Sequence, residues 1–471
     1  MALLLAFLTL LLRLVSAAYE ITCANTSAPS TLDVVSRPLV SVVQFFIHDN
    51  CSLSDKFDDN VLWVATWPTY ANVTSENSVT VHLTGYAFGA PTCANDPLSK
   101  LYYYSRLLGW TGHEINDTIE DIRYNVMQWN PDFQPTMPFF PADYLSWSIH
   151  GAGLTFSTSD SQPRALQTST GRFGHFQAFE NVEVHQQYDR PTLFRSHLKL
   201  TGCDSVYETP ARTSQHYIVP PKGLTIVSDV DDILRIAEVW NFTAALSRLL
   251  VEPFRPRGNM NHVFNHWADE MPKTHFHYVS DAPETTYEYY VRGLGHHYPP
   301  GSYDFRPIDF GSWTKVVSPR YWNVRRLIES FPERRYVLIG DTATTSTLTA
   351  YGRLEKEYPD QVQCIIMRNV DATEPGNWIL PNLKVLPADK LLLFNVSSEL
   401  NGMTGVLADI EAGKVTGCGG METGLPGGKI YGLESGILSA WKGFRQYVGC
   451  SLHGHRRPNW VHCRPDRPWK M

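Results

Sequence analysis

Residues 223–234 read Gly-Leu-Thr-Ile-Val-Ser-Asp-Val-Asp-Asp-Ile-Leu. The apolar and β-branched run 224–227 follows Pro220-Pro221-Lys222-Gly223 and reads as a short buried strand. Asp229, Asp231 and Asp232 come straight after it. Side chains alternate along an extended chain, so Asp229 and Asp231 are expected on one side. Neighbouring carboxylates repel unless a cation lies between them. A hard divalent ion with oxygen ligands, such as Mg²⁺, suits that chemistry. The carboxyl end of a strand in an α/β sheet is also where ligands bind. A solvated acidic turn is the plain alternative.

The chain around this stretch has 471 residues, enough for two or three domains. Its formal net charge of −7 argues against a global basic surface for nucleic acid. Residues 1–12 are almost wholly apolar, Arg13 interrupts, and Val15-Ser16-Ala17-Ala18 offers small residues for cleavage. Residues 1–18 therefore read as a secretory signal peptide of a secreted, extracellular protein, although no Lys or Arg precedes the apolar run. Eight cysteines lie beyond it, at 23, 51, 93, 203, 364, 418, 450 and 463, an even number that favours disulfides in that compartment. Sequons at Asn25, Asn50, Asn72, Asn116, Asn241 and Asn395 permit glycosylation.

Residues 30–217 read as a mainly β N-terminal domain, a sandwich, with strands at 62–66, 79–86, 173–179 and 196–200 and a turn at 72–77. A helical insertion is expected within 98–127. Residues 218–371 change character. Strands at 225–228, 275–280, 335–340 and 361–367 alternate with helices at 242–251, 283–293, 319–330 and 345–358, the pattern of a parallel, Rossmann-like α/β sheet. Residues 372–471 read as a C-terminal extension with a Gly-rich loop at 401–428 and a basic tail at 456–470 able to attract anionic lipid. Gly427-Gly428-Lys429 lacks the spacing of a phosphate loop, and His453, His455, His462 and Cys463 fit no standard zinc site. His296 and His297 read as packing residues.

Further strand and helix ends carry polar groups. Ser280 closes His277-Tyr278-Val279-Ser280, where a hydroxyl beside a helix start can hold a phosphate oxygen or simply cap the helix. Ser318-Pro319-Arg320 opens a helix with a cation that could equally be a solvated surface arginine. Val337-Leu338-Ile339-Gly340-Asp341 is a second buried strand ending in a carboxylate.

These segments, in this order, resemble the phosphatidate phosphatase family typified by the fungal actin-patch-protein enzyme, within the haloacid dehalogenase superfamily. Val227 to Ile233, Phe276 to Ser280 and Ser330 to Asp341 carry the resemblance, and Thr66 to Ala71 and Val81 to Tyr86 look like the family's upstream region. The resemblance covers about residues 60–370 and implies a haloacid-dehalogenase-like catalytic domain. It implies that Asp229 attacks phosphorus and Asp231 protonates the leaving alcohol and then activates water. It further implies that Mg²⁺ is held by Asp229, the Asp231 carbonyl and Asp341, and that Ser280 and Arg320 hold the phosphoryl group. The substrate would be phosphatidate or another lipid phosphate, met through peripheral membrane contact. Three positions depart from the family. Ile233 replaces a threonine, Arg320 replaces a lysine, and Ser346 stands where a second acidic residue supports the metal. These changes favour a second reading, a non-catalytic secreted descendant that binds phosphorylated ligands or a protein partner.

Overall fold

The computed structural model describes residues 21–22, 61–90, 149–159, 161–171, 174–201, 211–241, 244–245, 248, 254–307, 318–370 and 382–419. The signal peptide, the insertion at 98–127, most of the helix expected at 242–251, the basic tail and six of the eight cysteines lie outside them. Among the described residues no helix is long and apolar enough to cross a membrane.

The N-terminal part holds strands β1 Val61–Thr66, β2 Thr69–Ser75, β3 Ser78–Ala90, β4 Gly153–Ser157, β5 Arg164–Ser169, β6 His175–Glu183, β7 Thr192–Thr201 and β8 Arg212–Val219. They join one mixed sheet in the order β1-β3-β2-β8-β7-β4-β5, with β6 on the other side of β3. Among the described residues the expected sandwich of two packed sheets gives way to one eight-stranded sheet that curls, bringing β1 back against β7. Its inner face is lined by Val64, Val81, Leu83, Leu154, Phe156, Leu198 and Ile218. The turn after β2 is only Glu76-Asn77, because Asn72 to Ser75 continue the ladder to β3.

The second part is a six-stranded parallel sheet. Its strands are β9 Leu224–Asp229, β10 His275–Pro283, β11 Gly301–Arg306, β12 Arg335–Asp341, β13 Val362–Arg368 and β14 Leu391–Phe394, in the order β11-β10-β9-β12-β13-β14. Helices α1 Met260–Glu270, α2 Tyr287–His297, α3 Pro319–Ser330, α4 Thr345–Glu357 and α5 Met403–Ala412 cover it. Every residue of β9 is buried, as a central parallel strand requires. Period two sends Leu224 and Ile226 into a core with Phe264, Trp267, Leu294, Leu407 and Ile410. Val227 enters the opposite core with Val324, Leu327, Leu348 and Leu354.

The Gly-rich loop expected at 401–428 is corrected at its start. Residues 403–412 are helix α5, because Met403, Leu407 and Ile410 recur at helical spacing and are buried. Gly413 ends it in the left-handed conformation, φ 73°. Leu391–Phe394 extends the parallel sheet past residue 371, and a Cys364–Cys418 disulfide ties this segment to β13. The α1 helix and the polar edge strand β11 escape the sequence reading altogether.

The two parts share their cores. Trp67 stacks edge-on against Phe305, with ring centroids 5.4 Å apart, and the Tyr303 amide donates to the Pro68 carbonyl at 2.8 Å. Buried Arg334 pins the linker to β9, donating to the carbonyls of Pro220 at 2.9 Å and Lys222 at 2.6 Å and to the Thr225 hydroxyl at 2.8 Å. Buried Asp304 on β11 accepts from Arg326 at 2.8 Å and lies 3.2 Å from His277.

Two stability predictions follow from these ties. Closing a loop across a sequence separation of 54 stabilises by about 2–4 kcal/mol. Cys418→Ala is expected to lose that amount in denaturant unfolding. Burial pushes the Asp304 carboxyl up, but Arg326 and the His277 hydrogen bond outweigh it and hold it at about 2. A carboxyl depressed in the folded state contributes stability above its unfolded value near 3.8, lost as pH falls toward 2. Asp304→Asn is expected to cost on the order of 2 kcal/mol at neutral pH and to flatten acid unfolding between those values, read by circular dichroism.

Candidate active site

The site is built at the carboxyl ends of β9, β10 and β12. The strand β9 ends at Asp229, which is buried. One carboxylate oxygen, Oδ1, accepts from the Val230 amide at 2.8 Å, and Oδ2 accepts from Nη1 of Arg320. Arg320 is therefore no solvated surface residue. It opens α3 and is itself buried between Asp229 and Asp281, whose Oδ2 lies 3.2 Å from its Nη2.

Strand alternation stops at Asp229, so Asp231 has a separate set of partners. Its Oδ1 accepts from Arg235 Nε at 2.7 Å and Tyr290 at 3.0 Å, and its Oδ2 accepts from Ser280 at 2.9 Å. The Ser280 hydroxyl also accepts the Ala282 amide at 3.0 Å, so it shapes the start of the next turn and touches Asp231 at once. Asp232 has a different task. In the left-handed region, φ 61°, it accepts the amides of Ala237, Glu238 and Val239 and an arm of Arg257 at 2.9 Å. The third carboxylate of the motif thus folds the loop that carries the second.

Asp341, at the end of β12, accepts the amides of Ala343 at 2.7 Å and Thr344 at 3.0 Å. Ser228 pairs with Ile339, so Asp229 and Asp341 finish adjacent strands. Burial raises the Asp229 carboxyl well above its ordinary value. Arg320 opposes this, while the negative charges of Asp341 and Asp281 reinforce it. Burial and Asp232 push Asp341 up to about 6. Two buried carboxylates held at such a cost are a field that a cation would relieve. Among the described residues no group of three His, Cys, Asp or Glu side chains converges as a metal site. Mg²⁺ needs fewer, since it binds through one or two carboxylates plus substrate oxygens and keeps several waters. The donor set Asp229, Asp341 and a backbone carbonyl fits that habit.

Residues 224–369 match the family of the phosphatidate phosphatase APP1 catalytic domain. The matched segment runs from the first residue of β9 to just past β13 and contains Asp229, Asp231, Ser280, Arg320 and Asp341. It is the family that the motifs resemble. No curated protein matches the chain. Among solved structures, one from work on a carbohydrate esterase whose active site displays divergent catalytic and non-catalytic binding functions is 8% identical. It covers 56% of this chain and 83% of its own, with a TM-score of 0.19, and supports no argument about fold or function.

Sequence reasoning missed four members of the site. Asp281 was visible beside Ser280 but carried no assigned role. Arg306, Arg235 and Tyr290 gave no signal, because only tertiary packing brings them to Asp281 and Asp231. Ser346 donates to Asp281 Oδ2 at 3.2 Å. Removing the cation of a buried pair leaves an uncompensated charge and costs roughly 3–5 kcal/mol. Arg320→Met is expected to destabilise by that amount in urea unfolding, and adding Asp229→Asn is expected to recover most of it.

Proposed function

We propose that the chain is a Mg²⁺-dependent phosphatidate phosphatase of haloacid-dehalogenase-like fold, hydrolysing phosphatidate to diacylglycerol and inorganic phosphate. The observation that carries this reading is a buried Asp229 at the end of the central strand, with Arg320 on it and Asp341 on the next strand, inside the matched segment. A carboxylate oxygen of Asp229 attacks phosphorus and the bond to the glycerol oxygen breaks, leaving an aspartyl phosphate. Asp231 gives its proton to the departing oxygen, then takes one from the water whose oxygen attacks the same phosphorus. Asp229 leaves as a carboxylate and phosphate is released. Asp229, Asp341 and the Asp231 carbonyl would hold Mg²⁺, which when bound neutralises phosphoryl charge. The hydroxyls of Ser280 and Tyr290 keep Asp231 aimed. Arg320 exchanges its resting hold on Asp229 for a phosphoryl oxygen.

Arg320 in place of lysine and Ser346 in place of a carboxylate support an enzyme slower than its relatives. The apolar leader, the sequons and the basic tail support a secreted protein acting at a lipid surface. A second reading rests on the same pair. The nucleophile is closed by Arg320 at rest, which suits a non-catalytic protein that binds phosphorylated ligands or a protein partner.

Phosphate release from short-chain phosphatidate separates the two. The proposal expects release that requires Mg²⁺ and falls at least a thousandfold in Asp229→Asn. Release equal to that of the variant, from folded protein with ample Mg²⁺, would support the binding reading instead.

A further inference from the structure

We infer that Asp281 is a positioning residue of this site. It splits the fork of Arg320, so that the nucleophile is held by one arm instead of two. The inference rests on the phosphatase reading of Asp229. Arg320 presents Nη1 to Asp229 and Nη2 to Asp281 Oδ2 at 3.2 Å, both from a buried guanidinium. A guanidinium facing a single carboxylate pairs with both of its oxygens through two parallel hydrogen bonds. That arrangement would put a second charged hydrogen bond on Oδ1 of Asp229, which already accepts the Val230 amide, and would draw electron density from both oxygens of the attacking group. Asp281 prevents it by drawing the second arm away.

Asp281 is held for this task. Ser346 at the start of α4 donates to its Oδ2 at 3.2 Å, and Arg306 from β11 approaches its Oδ1 at 3.9 Å. Position 346 is where the resemblance places a carboxylate and this chain has serine. The structure thus supplies a negative charge at that place from β10, delivered by the strand that also carries Ser280. The Nε of Arg320 is buried with no hydrogen-bond partner among the described residues, a donor left for a phosphoryl oxygen.

The test is Asp281→Asn, isosteric and without charge, beside the relocated-carboxylate variant Asp281→Asn/Ser346→Asp. With phosphatidate and Mg²⁺, Asp281→Asn is expected to lose about 10- to 100-fold in kcat with KM changed less than about threefold. The double variant is expected to regain at least about tenfold of that loss, which a residue serving stability alone would not show. A second readout is independent of turnover. The Nε–H signal of Arg320, assigned with Arg320→Lys in arginine-labelled full-length protein, is expected to shift in Asp281→Asn and to return in the double variant. An unchanged Arg320 signal, or wild-type kcat in Asp281→Asn, overturns the inference. Inactive wild-type protein sinks the phosphatase reading, while the signal still decides whether Asp281 sets Arg320. Should Asp281→Asn fail to fold, a folded double variant with a displaced Arg320 signal overturns the inference equally.

Discussion

One buried guanidinium balances the charges on which the site depends. Asp229 and Asp341 end adjacent strands, Asp281 lies near the end of the next one, and burial penalises each of them in the ionised form. Arg320 enters from the first turn of α3 and compensates two of them directly. Burial pushes the Asp281 carboxyl up, but Arg320 and Arg306 outweigh that and hold it below its ordinary range. Asp229 keeps a raised value despite its own contact with Arg320, because burial, reinforced by the charges of Asp341 and Asp281, outweighs it. The sheet carries three acids at one end beside a cation that α3 supplies in its first turn.

The surrounding fold fixes this geometry. Leu224, Ile226 and Val227 lock β9 between two cores, so Asp229 cannot slip along the strand without exposing one of them. Arg334 holds the entry of β9, and Asp232 holds its exit by accepting three amides of the following loop. The curled N-terminal sheet contributes Trp67 and Tyr70 to the two cores and caps the edge strand β11 through Pro68. An exposed edge strand is a liability, and this contact covers one that carries Arg306 toward the site.

Much of this was legible in the chain. The apolar runs of β9, β10, β12 and β13 are unmistakable because central parallel strands are buried on both faces, and the helix at 319–330 starts where Pro319 predicts. The acids at strand ends followed from the same pattern. The polar strand β11, with Ser302 and Asp304, could not be read, because its polar residues are buried only by pairing with His277 and Arg326. Helix α5 was hidden by glycines at 402, 405 and 413, although Met403, Leu407 and Ile410 kept the helical period. Asp281 was in view, but its role depends on where α3 and α4 place Arg320 and Ser346, which no local pattern encodes.

The central claim is that the end of β9 holds a nucleophile for phosphoryl transfer. Acid quench of the protein during incubation with phosphatidate and Mg²⁺, followed by peptide mass spectrometry, tests it most directly. The account predicts one added phosphoryl group on Asp229, absent without Mg²⁺. Phosphate release with no modification of Asp229, or a phosphoryl group on another residue, would contradict it.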